Sequence, residues 1–112
     1  MTTGTVFDET YTALDSHVAM LDSACGWKAR KHDDWPQTTW ELILRLTETE
    51  RPHGAAFQYR SIETDVLAFI LQRVTGKMLA DIISDEIWVP LGAENDASFT
   101  VDPSGYALAC GG

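Results

Sequence analysis

The most constraining feature of the sequence is an amphipathic stretch between residues 61 and 76. Apolar side chains recur there at helical spacing, at Ile62, Val66, Leu67, Ile70, Leu71 and Val74. This spacing predicts a helix with one wide apolar face. Ser61 is suited to cap its start, and Gly76 is suited to end it. Tyr59 should then lie in a loop held by a buried helix, which is a common place for functional groups.

Two shorter helices are expected before this stretch. Either Asp15 or Ser16 can cap the first, which should end near Gly26. Thr38 and Glu41 have the spacing of a capping box, in which each side chain bonds the backbone N–H of the other residue. The second helix should therefore cover residues 39–47 and bury Trp40, Ile43, Leu44 and either Leu46 or Thr47.

The remainder of the chain is expected to form one more helix and a hairpin. Residues 77–88 have apolar side chains at spacings of three and four, and Pro90 should end that helix. Residues 98–101 and 106–109 are predicted to pair as two short strands around a turn at residues 102–105. The fold predicted for residues 1–112 is thus a single, mainly α domain with a small β-hairpin near the C-terminus.

Composition excludes several classes of function. The 112 residues contain 8 basic and 17 acidic side chains, a net charge of −9, which disfavours nucleic acid and anionic membrane surfaces. The charge would attract a cationic group such as a substrate amine, or serve solubility alone. Cys25 and Cys110 form no Cys-x-x-Cys motif and the histidines are scattered, so neither metal nor cofactor is expected. No apolar run is long enough for a membrane span, and the first residues lack signal-peptide character, so a cytoplasmic protein is expected.

The element Tyr59-Arg60-Ser61 resembles the Tyr-x-Ser/Asn element of serine hydrolases with the β-lactamase and penicillin-binding-protein fold. The likeness is closer to the branch of esterases and 6-aminohexanoate-dimer hydrolases. Further segments resemble that branch in the same order along the chain: Met1-Thr2-Thr3-Gly4, Phe7-Asp8-Glu9-Thr10-Tyr11, Cys25-Gly26-Trp27, Ile87-Trp88-Val89-Pro90-Leu91-Gly92-Ala93-Glu94 and Gly105-Tyr106-Ala107-Leu108-Ala109-Cys110-Gly111-Gly112. The resemblance thus covers nearly the whole chain and implies the helical lobe of such a hydrolase.

The resemblance also implies roles for five residues. Tyr59 matches the tyrosine that moves protons to and from the nucleophile and the leaving group, and Ser61 matches a residue that lines the site. Tyr11, Asp22 and Trp27 match residues of the substrate cleft, which reach the scissile amide, meet a substrate amine and cover the pocket. The alternatives are structural: Tyr59 packs at a helix start, Ser61 caps the helix, and the other three are a surface acid and core aromatic residues.

The family's other catalytic elements do not occur in these 112 residues. No serine is followed by lysine three residues later, and no Lys-Thr-Gly element is present. We therefore expect a lobe that is inactive alone, with a chemically ordinary Tyr59 because the lysine that would acidify it is lacking. Its partner would be the missing α/β lobe. The alternative is a stand-alone binding domain derived from that lobe, which self-associates through uncovered apolar surface.

Overall fold

The computed structural model describes residues 2–111, so Met1 and Gly112 of the quoted segments lie outside it. Its helices are α1 (His17–Ala24), α2 (Thr39–Arg45), α3 (Ile62–Thr75), α4 (Leu79–Ile83) and α5 (Val89–Leu91), and a π-helical turn (Ser84–Trp88) joins α4 to α5. These segments hold fewer than half of the described residues, and turns and loops form most of the remainder. The prediction of a mainly α domain was therefore wrong, because it assigned too much of the chain to helices.

The first helix forms as its sequence predicts. The hydroxyl of Ser16 accepts a hydrogen bond from the N–H of Ala19 at 3.2 Å, so Ser16 rather than Asp15 caps α1. The buried residues of α1 are Val18, Ala19, Leu21 and Ala24. Gly26 follows with a φ of +78°, a conformation that favours glycine. Cap, apolar spacing and stop signal agree here, which explains why the sequence was sufficient.

The second helix forms with half of its capping box and a different buried face. The hydroxyl of Thr38 accepts from the N–H of Glu41 at 3.1 Å, but the Glu41 carboxylate accepts from the N–H of Gln37 instead. Leu42 is buried, whereas Trp40 and Leu44 are exposed. The prediction that Trp40 and Leu44 are buried was therefore wrong.

The long helix α3 has the predicted bounds but turns a partly polar face inward. Gly76 ends it with a φ of +71°, as expected. Its buried side chains include Glu63, Asp65 and Ala68 besides Ile62, which occupies the core. Four apolar side chains of the predicted core face are exposed instead: Leu67, Ile70, Leu71 and Val74. We call these four residues the α3 outer face.

The fourth predicted helix, expected over residues 77–88, continues beyond Pro90. The N–H of Val89 donates to the carbonyl of Ser84, five residues earlier, and the chain remains helical until Gly92, where φ is +69°. A proline normally ends a helix because its ring clashes with the carbonyl four residues before it. In the π-helical turn immediately before Pro90, the hydrogen bond reaches the fifth preceding residue instead of the fourth, and the helical backbone continues past the proline.

The predicted β-hairpin near the C-terminus does not form. The described residues have a single bridge there, between Val101 and Ala107, and no sheet. The side chain of Asp102 accepts hydrogen bonds from the N–H groups of Ser104 and Tyr106, at 2.9 and 3.2 Å. These side-chain bonds fold residues 102–106 into a compact turn. Backbone pairing beside this turn is limited to the bonds from Asp102 N–H to the Tyr106 carbonyl and from Leu108 N–H to the Thr100 carbonyl, which is too short to form strands.

The core lies between the N-terminal segment and the first three helices. Its buried apolar side chains are Phe7, Val18, Leu21, Cys25, Leu42, Ile62 and Leu108. Cys25 and Cys110 are free thiols, and burial raises the pKa of Cys25 to about 11, so this thiol packs as a small apolar side chain. None of the helices between residues 2 and 111 has the length and apolar character needed to cross a membrane.

Candidate active site

The loop before α3 holds Tyr59 at the surface. The side chain of Tyr59 is 61% exposed. The guanidinium of Arg60 donates to the backbone carbonyl of Tyr59 at 3.2 Å and forms an ion pair with Glu50 at 3.1 Å. Arg60 therefore fixes the loop backbone, and its charge is directed to Glu50.

Ser61 begins α3 without capping it. Its backbone is already helical, with φ −52° and ψ −47°, and its side chain makes no capping bond. Instead, its N–H donates to both carboxylate oxygens of Glu9, at 3.2 and 3.1 Å, and its hydroxyl also donates to Glu9. A helix N-terminus favours an anion because of its free N–H groups and its dipole. The cap predicted for Ser61 is thus supplied by Glu9.

Tyr11 reaches the same carboxylate from the N-terminal segment. Its hydroxyl donates to Glu9 at 2.9 Å and lies 3.3 Å from the hydroxyl oxygen of Ser61. The hydrogen bond with Ser61 lowers the pKa of Tyr11, but the bond to Glu9, partial burial and the charges of Glu9 and Tyr59 raise it more. The net result is a raised pKa, so Tyr11 stays protonated at neutral pH. We call Glu9, Tyr11 and Ser61 the Glu9 site.

Asp22 and Trp27 contact each other and their own neighbours. The Asp22 carboxylate forms an ion pair with Lys28 at 2.7 Å, and the Asp22 carbonyl accepts from the N–H of Trp27 at 2.8 Å. The indole N–H of Trp27 donates to the hydroxyl of Thr100 at 3.1 Å. Within residues 2–111, no hydrogen bond or ion pair joins these two residues to the Glu9 site. The structure thus brings Tyr11, Ser61 and Tyr59 together, whereas the bonds of Asp22 and Trp27 go to other residues.

The buried carboxylate of Asp65 lies one helical turn beyond Ser61 in α3. Its exposed fraction is 1%, and it accepts from the N–H of Ala109 at 2.8 Å. Burial raises the pKa of Asp65, against hydrogen bonds from Ala109 and Cys110 that lower it. Asp65 therefore ties the last described residues to α3.

A groove of about 590 Å³ lies at the other end of α3 from the Glu9 site. Its lining includes Trp40, Phe69 and Tyr106, whose rings meet at centroid distances of 5.0 and 4.9 Å, together with Arg73, Lys77 and Met78. None of the five predicted site residues lines it. The groove is therefore separate from the hydroxyl groups of Tyr11 and Tyr59.

Two of the three histidines, His17 and His32, make local contacts. His17 accepts from the N–H of Asp8 at 2.9 Å, and His32 lies 3.2 Å from the carboxylate of Asp15. Among the described residues, no group of histidine, cysteine and acidic side chains is arranged to hold a metal ion.

Sequence reasoning missed Glu9 and Asp65. Glu9 is within a segment quoted for the resemblance, but its bond to Ser61 spans 52 positions, and no local pattern indicates it. Asp65 is an acid in the first turn of α3, and its burial cannot be read from that position. An acid on the side of an amphipathic helix opposite its apolar stripe normally faces water.

Comparison with known proteins identifies the family. The family model described as Beta-lactamase matches residues 16–108. A 6-aminohexanoate-dimer hydrolase from Paenarthrobacter ureafaciens is 39% identical over 108 residues, which cover 95% of this chain and 26% of that protein. The unguisins hydrolase of Aspergillus campestris is 24% identical over 66 residues, covering 57% of this chain and 12% of that protein.

A solved structure supports the same relationship. A Bacillus anthracis protein described provisionally as a 6-aminohexanoate-dimer hydrolase matches 98% of this chain and 29% of its own chain, with a TM-score of 0.83 and 26% identity. The chain thus spans roughly a quarter of the length of the relatives that it matches over nearly all its residues. On the family model and the 39% identity together, this chain belongs to the beta-lactamase family.

Proposed function

We propose that residues 1–112 are the helical lobe of a β-lactamase-related serine hydrolase that transfers acyl groups from amides or esters. The observation that carries the proposal is the meeting of Tyr11 and Ser61 at the start of α3, directly after Tyr59. Their hydroxyl oxygens lie 3.3 Å apart although the residues are 50 positions apart in sequence. Three hydroxyl groups at one helix end provide groups that can bind a substrate and carry protons.

In this proposal Tyr59 carries protons between the nucleophile and the leaving group. Its exposed side chain leaves the phenol accessible to groups from outside these residues. The serine nucleophile, the lysine that activates it and the oxyanion donors would come from a separate α/β lobe. The sequence of this chain contains no Ser-x-x-Lys element, so we expect no turnover by the chain alone.

The names of two relatives suggest a linear amide as the substrate. Both are described as hydrolases of the 6-aminohexanoate dimer, which has a free amine. Asp22 would meet that amine, and Trp27, which is half exposed, would form a pocket wall. Asp22 would first have to release Lys28, whose side chain is 50% exposed, while the side chain of Asp22 is 15% exposed. Leaving a largely buried carboxylate unpaired is costly, so a substrate amine would have to replace Lys28 as its partner.

A chimeric enzyme tests this proposal. The segment of the Paenarthrobacter ureafaciens hydrolase that matches this chain is replaced by this chain, and hydrolysis of the 6-aminohexanoate dimer is measured. We expect turnover by the chimera, and a decrease of roughly 10²–10⁴-fold in kcat on Tyr59→Phe, because a positioned proton carrier contributes about that factor.

The matched control is Tyr106→Phe, which removes a phenol hydroxyl from the aromatic groove instead. It should leave turnover unchanged. A folded chimera without activity, or equal rates for the Tyr59→Phe and Tyr106→Phe chimeras, would contradict the proposal. Robust ester turnover by the 112-residue chain alone would also contradict it.

The alternative is a stand-alone domain that self-associates, and the α3 outer face favours it. Leu67, Ile70, Leu71 and Val74 are between 45% and 79% exposed on one helix. A contiguous apolar patch on a soluble chain indicates an interface. Sedimentation of the chain would then show a defined oligomer that dissociates on Leu71→Lys. A monomer at all concentrations would exclude this alternative.

A further inference from the structure

Glu9 is the common acceptor of the Glu9 site. One carboxylate receives four hydrogen bonds: two from the N–H of Ser61, one from the hydroxyl of Ser61 and one from the hydroxyl of Tyr11. Glu9 lies in the N-terminal segment, whereas Ser61 begins α3. The carboxylate therefore links the segment that carries Tyr11 to the helix start that follows Tyr59.

The directions of these bonds determine what the two hydroxyl groups can offer. An ionised carboxylate only accepts hydrogen bonds, and each hydroxyl has a single proton to donate. Charged acceptors form the stronger bonds, so the bonds of both hydroxyl groups to Glu9 prevail over the longer contact of 3.3 Å between their two oxygens while the carboxylate is in place. The oxygens of Tyr11 and Ser61 are thus left with their lone pairs free.

We propose that Glu9 is a positioning residue that fixes the hydrogen-bond polarity of the site, holding Tyr11 and Ser61 as acceptors for an N–H group. An amide N–H or a protonated amine can bind two such oxygens, whereas an ester oxygen, which has no proton, cannot. The proposal rests on the function proposed above, and it adds the residue that orients the hydroxyl groups. Glu9 acts through Tyr11 and Ser61 and need not contact the substrate.

A purely structural role for Glu9 makes a different prediction. If Glu9 served only as an anion at the start of α3, glutamine could replace it in part, because its amide oxygen accepts from the N–H of Ser61. The charge that attracts both hydroxyl protons would nevertheless be lost. Glu9→Gln therefore separates capping from the control of hydroxyl polarity.

The test is a titration of Tyr11 in the 112-residue chain. The chain is labelled with ¹³C at the tyrosine Cζ, and the Tyr11 signal is assigned by its loss in Tyr11→Phe. Tyr11 is faced by the carboxylate of Glu9, the hydroxyl of Ser61 and the phenol of Tyr59. We expect Tyr11 to titrate at lower pH in Glu9→Gln than in the wild type, with the Ser61 amide signal still dispersed. Glu94→Gln, which removes an exposed acid elsewhere, should leave the Tyr11 titration unchanged.

The opposite result would overturn the proposal. An unchanged or higher Tyr11 titration in folded Glu9→Gln means that Glu9 does not hold the Tyr11 proton. Should Glu9→Gln fail to fold, the wild type decides: Tyr11 must titrate at higher pH in the native chain than in urea. This readout needs no catalysis. If the Tyr11 titration shifts in Glu9→Gln but the chimera is inactive, only the proposed function is rejected. If the chimera is active but the Tyr11 titration does not shift, only the role of Glu9 is rejected.

Discussion

The buried carboxylate of Asp102 joins the turn of residues 102–106 to the start of α2. It accepts from the N–H groups of Ser104 and Tyr106 within its own turn, and from the N–H of Thr39 at 3.1 Å. Asp102 and Thr39 are 3% exposed. Replacing Asp102 by alanine therefore removes three bonds and leaves a buried N–H at the start of α2 without its partner.

The expected loss of stability follows from these contacts. A hydrogen bond to a charged acceptor contributes about 1.5–3 kcal/mol, and an orphaned buried donor costs about 1–3 kcal/mol. Water can replace part of the two bonds in the exposed turn, so the bond to Thr39 dominates. We expect Asp102→Ala to lower the free energy of unfolding by about 3 kcal/mol, which is roughly 12–24 °C in Tm for a domain of this size.

Urea unfolding followed by circular dichroism measures the effect. Asp102→Asn keeps one acceptor oxygen and should lose less, about 1–2 kcal/mol. Asp96→Ala, at an exposed position, should change the free energy of unfolding by less than about 0.5 kcal/mol. If the losses in Asp102→Ala and Asp96→Ala are alike, the carboxylate does not hold the turn to α2, and the reasoning fails.

Three further perturbations test the packing. Burial raises the pKa of Asp65 above its unfolded value, so the wild-type free energy of unfolding should fall as pH rises from about 4 through the raised pKa. Asp65→Asn does not titrate, so its free energy of unfolding in urea should improve relative to the wild type between pH 4 and pH 7. An equal difference between the two proteins at both pH values would refute this. Leu42→Ala, at a side chain 1% exposed, should lose about 2–5 kcal/mol, against less than about 0.5 kcal/mol for the exposed Leu44→Ala; similar losses would place the core elsewhere. Gly4→Ala should lower Tm, because the new Cβ would lie 2.3 Å from the carbonyl oxygen of Arg51 and φ is +75°; an unchanged melt would contradict that contact.

Local signals predicted the ends of helices well. Ser16 and Thr38 cap α1 and α2, and Gly76 ends α3, because a cap or a left-handed glycine depends on residues a few positions away. Two predictions failed: Ser61 does not cap α3, and Pro90 does not end its helix, because a π-helical turn precedes it.

Buried faces were predicted poorly where long-range contacts decide them. The apolar spacing of α3 indicated which residues share a face, but Asp65 is drawn inward by Ala109, 44 positions away. The carboxylate of Asp102 is likewise buried by a bond to Thr39, 63 positions away. Burial follows from contacts that a single sequence does not contain.

The residues of the candidate site were also predicted only in part. The resemblance named Tyr11, Ser61 and Tyr59, and the structure places the first two in contact and the third beside them. It did not indicate Glu9, which links Tyr11 to Ser61. Asp22 was placed in the cleft by the resemblance, and the structure shows it paired with Lys28.

The helical segment of residues 79–91 is attached to the remainder of the molecule by very little. Leu79 is its one buried side chain, and neither the π-helical turn nor α5 buries any residue. Segments with few buried contacts open at a fraction of the free energy needed for global unfolding. Limited proteolysis of the native chain should therefore cut within this segment first, and the N-terminal fragment released would contain α1, α2 and the whole of α3.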